Sequence, residues 1–342
     1  MKKLFPMIMA LILTLALFTV PVMAEEETDA GGAIGFLSFL NMSEEALEAK
    51  RQSEVPAYQY LIDQGVMEIE EPVAPNEDTI FYDSLDAMLM GLLSGEVSAL
   101  AMPDCTAKYL TSVNDQVRQS ILYHPEKAEG FSQSLLNMLC NGYSFMMLEE
   151  NSDLRDQFDQ VTDEMRSDGT LDELIRTHIT DVIEGGEPEA VVFEEFEGDP
   201  IRIAITGSLP PMDYVAEDGT PAGFNTAVLA EIGKRLGKNI ELVQVDSMGR
   251  ALALAQGNVD AVFWTRSTAG GMLESGLPEM SPEEFAAYLE EVEASRTDEE
   301  NAIVQSMRDA TTREERITLD MPEGTVVTDP YYTDMTVVVV LK

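Results

Sequence analysis

Four places in the sequence combine a short apolar run with polar, charged or aromatic side chains close behind it. Each run has the length and composition of a buried β-strand. In open α/β sheets, ligands bind outside the carboxyl ends of the strands, so residues that follow such runs can meet in one site. The candidates for that site are Asn41, Ser43, Asp104, Ser208, Tyr214, Trp264, Thr265 and Arg266.

Arg266 is the residue that we expect to hold an anionic group of a ligand. A guanidinium donates two parallel hydrogen bonds to a carboxylate, and a net charge of −42 leaves few other groups that could attract an anion. Ser43 stands at the predicted start of a helix, whose backbone N–H groups could bind the same carboxylate. The alternatives are an Arg266 that pairs with an acid on the surface and a Ser43 that only caps its helix.

The other candidates would recognise the rest of a ligand. Asp104 could accept hydrogen bonds from an ammonium group, and Trp264 could stack on a side chain or a cation. Tyr214 could act as Trp264 does, and either aromatic residue could equally belong to the core. Further polar groups at the strand ends belong to Asn41, Ser208 and Thr265.

The histidines and cysteines indicate no metal or cofactor. His124 and His178 are the only histidines, and neither has a second ligand at the spacing that metal sites use. Cys105 and Cys140 are the only cysteines. In an exported protein they could form a disulfide, and two buried thiols are the alternative.

The elements that must position these residues alternate between helices and strands. Apolar residues follow helical spacing in 84–93 and form a strand-like run in 97–102, and this alternation recurs along the chain. It predicts an α/β fold with parallel sheets covered by helices. Leu93–Leu100 is echoed by Ala255–Val262, with glycine, valine and alanine at matching positions. Two similar lobes explain the echo; the alternative is that many α/β proteins end a helix with glycine before a strand.

Three segments depart from this alternation. Residues 66–80 are expected to form a loop, since prolines break any period there, and the acidic residues 183–199 are expected to form a linker. Residues 272–317 contain two charged helices, at 282–294 and 299–307, without a strongly apolar face. We interpret this segment as a surface insertion, with a lid over a binding cleft as the alternative.

Residues 1–24 have the features of an export signal. Lys2 and Lys3 precede an apolar run that ends at Val20, and Val22-Met23-Ala24 offers a cleavage site. A membrane anchor is the alternative, but the run is short and acidic residues follow it directly. No cysteine lies near the cleavage site. We therefore expect a periplasmic or extracellular protein without a lipid anchor and without membrane insertion after cleavage.

The charge balance argues against two classes of partner. The chain has 21 basic and 63 acidic residues. Such a surface repels phosphate backbones and anionic lipids, so we expect no binding to nucleic acid or to a membrane surface. An excess of acidic residues also favours solubility outside the cell.

Residues 201–265 carry motifs that occur in a known order. The motifs are Ile201–Gly207, Pro210–Tyr214, Asp218-Gly219, Gly223–Asn225 and Gly257–Ala261. The segment resembles the first lobe of family 3 extracellular solute-binding proteins, which bind polar amino acids for ABC importers. Asp329-Pro330-Tyr331-Tyr332 resembles the end of the same lobe. Leu209 and Met212 stand where the family usually has aromatic residues, which implies a less aromatic pocket.

The first part of the chain resembles the remainder of that family. Gly35–Ser38, Tyr82–Leu85, Gly95–Val97 and Ala107–Leu110 are similar to parts of its second lobe. Asn151–Arg155 and Ser167–Leu171 are similar to its closing helices. The resemblance thus implies a two-lobed periplasmic-binding-protein type 2 fold, circularly permuted. Two incomplete domains in tandem are the alternative. The implied order is the second lobe (33–148), closing helices (149–182), linker (183–199) and first lobe (200–271 and 318–342), interrupted by the helical insertion (272–317).

The function that the resemblance implies is the capture of a small polar solute, an amino acid or related carboxylate, for the membrane subunits of an ABC importer. No cofactor is implied. The first alternative is an enzyme on the same scaffold, such as a dehydratase of cyclic acids, which would need a general acid or base in the cleft. The second is a ligand-sensing partner of a membrane receptor.

Overall fold

The computed structural model of the protein describes residues 33–37, 54, 56–70, 79–128, 131, 135–136, 139–187, 189–216, 219–246, 249–267, 281–310 and 324–342. The strands are β1 Ala33–Leu37, β2 Met67–Ile69, β3 Thr79–Tyr82, β4 Val97–Pro103, β5 Val117–Tyr123, β6 Cys140–Leu148, β7 Ile201–Ile205, β8 Ser208–Leu209, β9 Asp213–Val215, β10 Pro221–Ala222, β11 Ile240–Gln244, β12 Ala261–Ser267, β13 Thr325–Val327 and β14 Tyr332–Leu341. The expected export signal and the expected helix after Ser43 lie outside the described residues.

Helices separate most of these strands. They are α1 at 56–63, α2 Leu85–Ser94, α3 Asp104–Val113, α4 Ser152–Asp168, α5 Thr170–Ile175, α6 Phe224–Leu236, α7 Gly249–Ala255, α8 Pro282–Ala294 and α9 Asp298–Ala310. A π-turn, Arg176–Thr180, and a short helical turn, Asp181–Ile183, extend α5. The predicted α/β fold is confirmed. None of the helices in the described ranges combines the length and hydropathy needed to cross a bilayer.

Most strands belong to one 11-stranded sheet whose two halves share one arrangement. In half A, β1 pairs in parallel with β3 and β4, and the end of β14 lies antiparallel between β4 and β5. In half B, β7 pairs in parallel with β11 and β12, and β6 lies antiparallel between β12 and β13. Each half therefore contains an antiparallel strand next to a parallel trio, and half A has in addition β2, which pairs antiparallel with β5.

The strands β6 and β14 join the two halves. The first residues of β14, Tyr332 to Met335, pair with β6 in half B, whereas Thr336 to Leu341 pair with β4 and β5 in half A. A strand taken from the C-terminal end of the chain thus completes the sheet of half A. The two halves are consequently parts of one interdependent structure.

The echo found in the sequence corresponds to equivalent units of the two halves. α2 leads through Gly95 to β4 in half A, and α7 leads through Gly257 to β12 in half B. Both glycines adopt the left-handed conformation that ends a helix, with φ of 79° and 67°. The positions that match in register, Leu92 with Leu254, Val97 with Val259 and Ala99 with Ala261, are all buried.

Two expectations about irregular segments are wrong in part. Residues 66–80 are not all loop, because β2 lies within them and β3 begins at Thr79. The second helix of the expected surface insertion, α9, does have an apolar face. Its residues Val304 and Met307 are 1% and 2% exposed and pack in the core cluster of half A that contains Leu61 and Val338. The periodicity of apolar residues did not reveal this face of α9, because only a few of its residues are apolar.

Candidate functional site

A cleft lies between the two halves of the sheet. Its lining from half A consists of Leu37, Asp83, Ser84 and Leu85, and its lining from half B consists of Tyr143, Thr206, Ser208, Leu209, Asp213, Asn225, Arg250, Phe263 and Tyr331. The enclosed space at its centre is about 20 Å³, which is enough for about one water molecule. A larger ligand would enter only if the halves moved apart or the lining side chains shifted.

Arg250 supplies a buried cation to this cleft. It lies on α7 and is 3% exposed, and its Nη1 donates a hydrogen bond of 3.0 Å to the carbonyl oxygen of Phe263. Burial lowers the pKa of the Arg250 guanidinium to about 10, while the Asp213 carboxylate acts in the opposite direction. A group with that pKa remains charged at neutral pH.

The position of Arg250 is occupied by an apolar residue in the equivalent unit of half A. Counted from the matching glycines Gly95 and Gly257, Arg250 corresponds to Met88, which is 0% exposed. A buried charge is unfavourable unless it is paired or serves a ligand, and a methionine fills the same place in half A. Packing therefore does not require the arginine, which indicates a role in the cleft.

Asp213 fixes the backbone beside Arg250. Its Oδ2 accepts hydrogen bonds from the backbone N–H of Thr206 at 3.1 Å, from Thr206 Oγ1 at 2.9 Å and from the N–H of Gly207 at 2.9 Å. Burial raises the pKa of the Asp213 carboxyl, while these hydrogen bonds and Arg250 oppose the shift. Because the carboxylate ties down the turn after β7, it holds Ser208 at the wall of the cleft.

Aromatic residues form the floor of the cleft. Tyr331 stacks on Phe145 with ring centroids 4.9 Å apart, and its hydroxyl donates a hydrogen bond of 2.8 Å to Asn225 Oδ1. Tyr143, on the joining strand β6, contacts Tyr332 at 5.5 Å between ring centroids. These ring contacts and the hydrogen bond fix the orientation of Tyr331 and support Tyr143 from one side.

The structure places the predicted site residues in different surroundings. Ser208 lines the cleft. Tyr214 lies in β9 and is half-buried, and burial raises the pKa of its hydroxyl to about 12. Trp264, Thr265 and Arg266 belong to β12, which pairs with β6, and their side chains lie outside the described part of the chain. Asn41 and Ser43 lie wholly outside the described residues.

Asp104 lies apart from the lining of the cleft. It is 5% exposed at the start of α3, where it forms an ion pair of 2.5 Å with Lys108 Nζ and accepts a hydrogen bond of 2.9 Å from Gln119 Nε2. These partners already occupy the carboxylate. A role in binding an ammonium group remains a prediction, and it would require the exchange of one of these contacts.

Sequence reasoning missed several polar residues of the lining, which are Asp83, Ser84, Tyr143, Asn225, Arg250 and Tyr331. Arg250 could have been found in the sequence. When the two echoed segments are extended towards the N-terminus, the position of Met88 in one segment corresponds to Arg250 in the other. Asn225 and Tyr331 lie inside motifs that the family resemblance singled out. No local signal marks Tyr143, which looks like any aromatic residue of a buried strand.

The cysteines and histidines are not among the described residues that line the cleft. Cys105 and Cys140 are buried thiols that are not joined in a disulfide. His178 is buried, which lowers the pKa of its imidazole. No group of three or more potential metal ligands comes together in the portion of the chain that the structure describes.

Asp334 is a buried carboxyl at the junction of the two halves. Its Oδ2 accepts a hydrogen bond from the N–H of Cys105, and its Oδ1 accepts one from the N–H of Met335, both at 2.8 Å. Burial, together with the nearby Asp104, raises the pKa of the Asp334 carboxyl to about 7. The folded protein therefore binds this proton more tightly than the unfolded chain does.

The free energy of unfolding is expected to fall as the pH rises from about 4 to about 7, because Asp334 ionises near pH 4 in the unfolded chain but only near pH 7 in the folded one. Asp334→Asn should show a shallower fall over this interval. Urea unfolding at pH 4.5 and pH 7.5 measures the slope. Asp172→Asn, at an exposed position, should keep the slope of the unmodified protein; an equal slope in Asp334→Asn would contradict the assignment.

Comparison with known families gives a match over part of the chain. Residues 201–268 match the family described as bacterial extracellular solute-binding proteins, family 3. The matched range runs from β7 to the end of β12 and includes Ser208, Asp213, Asn225 and Arg250. No curated protein matches the chain.

Several solved structures are similar to the chain at low sequence identity. The ligand-binding component of an ABC-type import system from Staphylococcus aureus, with zinc bound, is 11% identical over 87% of this chain and 85% of its own, with a TM-score of 0.33. The alkanesulfonate-binding protein SsuA from Xanthomonas axonopodis pv. citri, bound to MOPS, is 10% identical over 89% and 88%, with a TM-score of 0.32. NikA from Staphylococcus aureus, in complex with Ni(L-His)2, is 12% identical over 77% and 57%, with a TM-score of 0.36.

Proposed function

We propose that the protein is a non-catalytic, exported solute-binding protein that captures a small carboxylate solute between halves A and B and delivers it to the membrane subunits of an ABC importer. The observation that carries the proposal is the buried Arg250 in a cleft to which both halves contribute. The family match over 201–268 supports the same function. An amino acid or a related acid is the class of solute that we favour.

The charge distribution supports a carboxylate as the anchored group. In a chain with a net charge of −42, an anion gains most from a buried guanidinium that is shielded from water. The hydroxyl of Ser208 and the amide of Asn225 line the same cleft. They can complete the hydrogen bonds of a carboxylate or of a polar group beside it.

Binding would require the two halves to move. In the state described, the Cys105 thiol at the start of α3 in half A donates to Met212 Sδ in half B at 3.7 Å, and little space remains in the cleft. β6 and β14 are the strands through which a hinge would act. Opening about this junction would admit the solute, and closure would bury it, as in other hinged binding proteins.

The permuted order of the chain is part of the proposal. The strand exchange supports it, because half A receives β14 from the C-terminal end of the chain and half B receives β6 from the first part. Two domains in tandem would instead each pair their own strands. Residues 189–199, which contain no helix or strand, would then form the linker between the original ends.

A thermal-shift screen tests the proposed function. The protein is unfolded, freed of bound solute, refolded and heated with amino acids, hydroxy acids, dicarboxylates, sulfonates and phosphate. At about 100 times Kd, a bound carboxylate should raise Tm by roughly 5 °C. If no anion in the panel shifts Tm, while circular dichroism shows a folded protein, the proposed function is wrong.

A further inference from the structure

Tyr143 lines the cleft and carries a buried hydroxyl that is unpaired among the described residues. The residue is 2% exposed and lines the cleft from β6. Its Oη has no hydrogen-bond partner among the residues that the structure describes. Burial raises the pKa of the Tyr143 hydroxyl and the Cys105 thiol is close enough to add to that shift, but the two groups do not meet in hydrogen-bond geometry. The thiol instead contacts Thr106 Oγ1 at 3.9 Å and Met212 Sδ at 3.7 Å. A thiol is in any case a weak partner.

Two other hydroxyls that line the cleft have hydrogen-bond partners within the protein. Tyr331 donates to Asn225 Oδ1, and Thr206 Oγ1 donates to Asp213 Oδ2. A buried polar group without a partner destabilises a folded protein, so such groups are rare unless they serve a ligand. Phenylalanine would fill the same space at Tyr143 without this penalty. The hydroxyl is therefore best explained by a partner that arrives with the solute.

The Tyr143 hydroxyl would act as the donor in a hydrogen bond to the solute. Burial raises the pKa of its hydroxyl well above the usual value, so the proton is retained at any physiological pH. A phenol is also a better donor than acceptor, since its oxygen lone pair is delocalised into the ring. The complementary group on the solute is then an oxygen acceptor.

We infer that Tyr143 is a specificity-determining residue that donates a hydrogen bond to a second oxygen of the solute, while Arg250 holds the carboxylate. The inference rests on the proposed function. It narrows the substrate class to carboxylates that carry a further oxygen acceptor outside the carboxylate bound by Arg250, such as a hydroxyl, a carbonyl or a second carboxylate group. Simple aliphatic monocarboxylates satisfy Arg250 but leave the Tyr143 hydroxyl unpaired. They should bind less tightly.

Tyr143→Phe should change stability and affinity in opposite directions. Without solute, the variant should unfold at an equal or higher urea concentration than the unmodified protein, because it lacks the unpaired hydroxyl. Three matched pairs of acids test the affinity: succinate against butyrate, lactate against propionate, and glutamate against norvaline. The first acid of each pair carries the further oxygen acceptor and should bind the unmodified protein more tightly. Its affinity for the variant should be about tenfold lower or more, as measured by calorimetry. The affinity of the variant for the second acid of each pair should stay within about threefold of that of the unmodified protein.

Tyr331→Phe is the matched control, since it removes a hydroxyl from the same cleft that does have a partner. That variant should be less stable without solute. A loss of stability in Tyr143→Phe, or an equal change in affinity for both members of each pair, would overturn the inference. If the unmodified protein binds none of these acids or any other anion, the proposed function itself fails. If the unmodified protein binds these acids and Tyr143→Phe binds them equally well, only the inference about Tyr143 fails.

Discussion

Replacing Arg250 with methionine is expected to lower the affinity for carboxylate solutes by about 100-fold, because a charge-assisted, bidentate hydrogen bond to a carboxylate is lost. That factor corresponds to about 2.7 kcal/mol of binding free energy. Methionine is the appropriate substitute, since Met88 occupies the equivalent place in half A and is fully buried there. Calorimetry with the solute identified in the thermal-shift screen measures the loss.

The fold should survive this substitution. Asp213 keeps its three donors from Thr206 and Gly207, so its carboxylate is not left without partners when the guanidinium is removed. Arg202→Met is the matched control, because Arg202 pairs with Asp260 at 2.8 Å outside the cleft. It should bind the solute as the unmodified protein does. If Arg250→Met binds within threefold of the unmodified protein, Arg250 is not the anchor of the carboxylate.

Gly223→Ala should lower the free energy of unfolding by about 3 kcal/mol or more, because both backbone conformation and space at this position exclude a side chain. Gly223 has a φ of 102° and a ψ of 166°, a region that is essentially restricted to glycine. A Cβ atom there would lie 2.5 Å from the carbonyl oxygen of Met212 and 2.9 Å from that of Pro211. Both are backbone atoms that cannot swing aside.

The tight approach at Gly223 is what positions the start of α6 against the cleft. The N–H of Phe224 donates to Pro211 O at 3.0 Å, and the N–H of Asn225 donates to Met212 O at 2.8 Å. Relief of the clash would break these bonds and displace Asn225, so solute affinity should fall together with stability. Urea unfolding and calorimetry on one preparation measure both quantities.

Gly219→Ala separates the clash from the effect of conformation alone. Gly219 also has a positive φ, 86°, but a Cβ atom there would meet nothing within 4 Å. Its substitution should lower the free energy of unfolding by about 1 kcal/mol and leave solute binding unchanged. Equal losses in the two variants would mean that the contact with residues 211–212 is not what makes Gly223 necessary.

The local elements and the α/β class of the fold could be predicted from the amino-acid sequence. α2 lies where the apolar spacing predicts a helix, and Gly95 ends it in the left-handed conformation. Ser84 caps its start, with Oγ accepting a hydrogen bond from the N–H of Ala87. Caps and apolar periodicity depend on residues within a few positions of one another, so they can be recognised in the sequence. The echo between the segments around Gly95 and Gly257 likewise predicted equivalent units, which the sheet contains.

Contacts between residues far apart in the chain could be learned only from the tertiary structure. The exchange of β6 and β14 between the halves, the burial of Val304 on α9, the entry of Arg250 into the cleft and the unpaired hydroxyl of Tyr143 all depend on contacts between segments far apart in the chain. Periodicity shows that a residue faces a core, but not which core or which partner. The absence of a partner can be recognised only when every neighbour of a buried group is known.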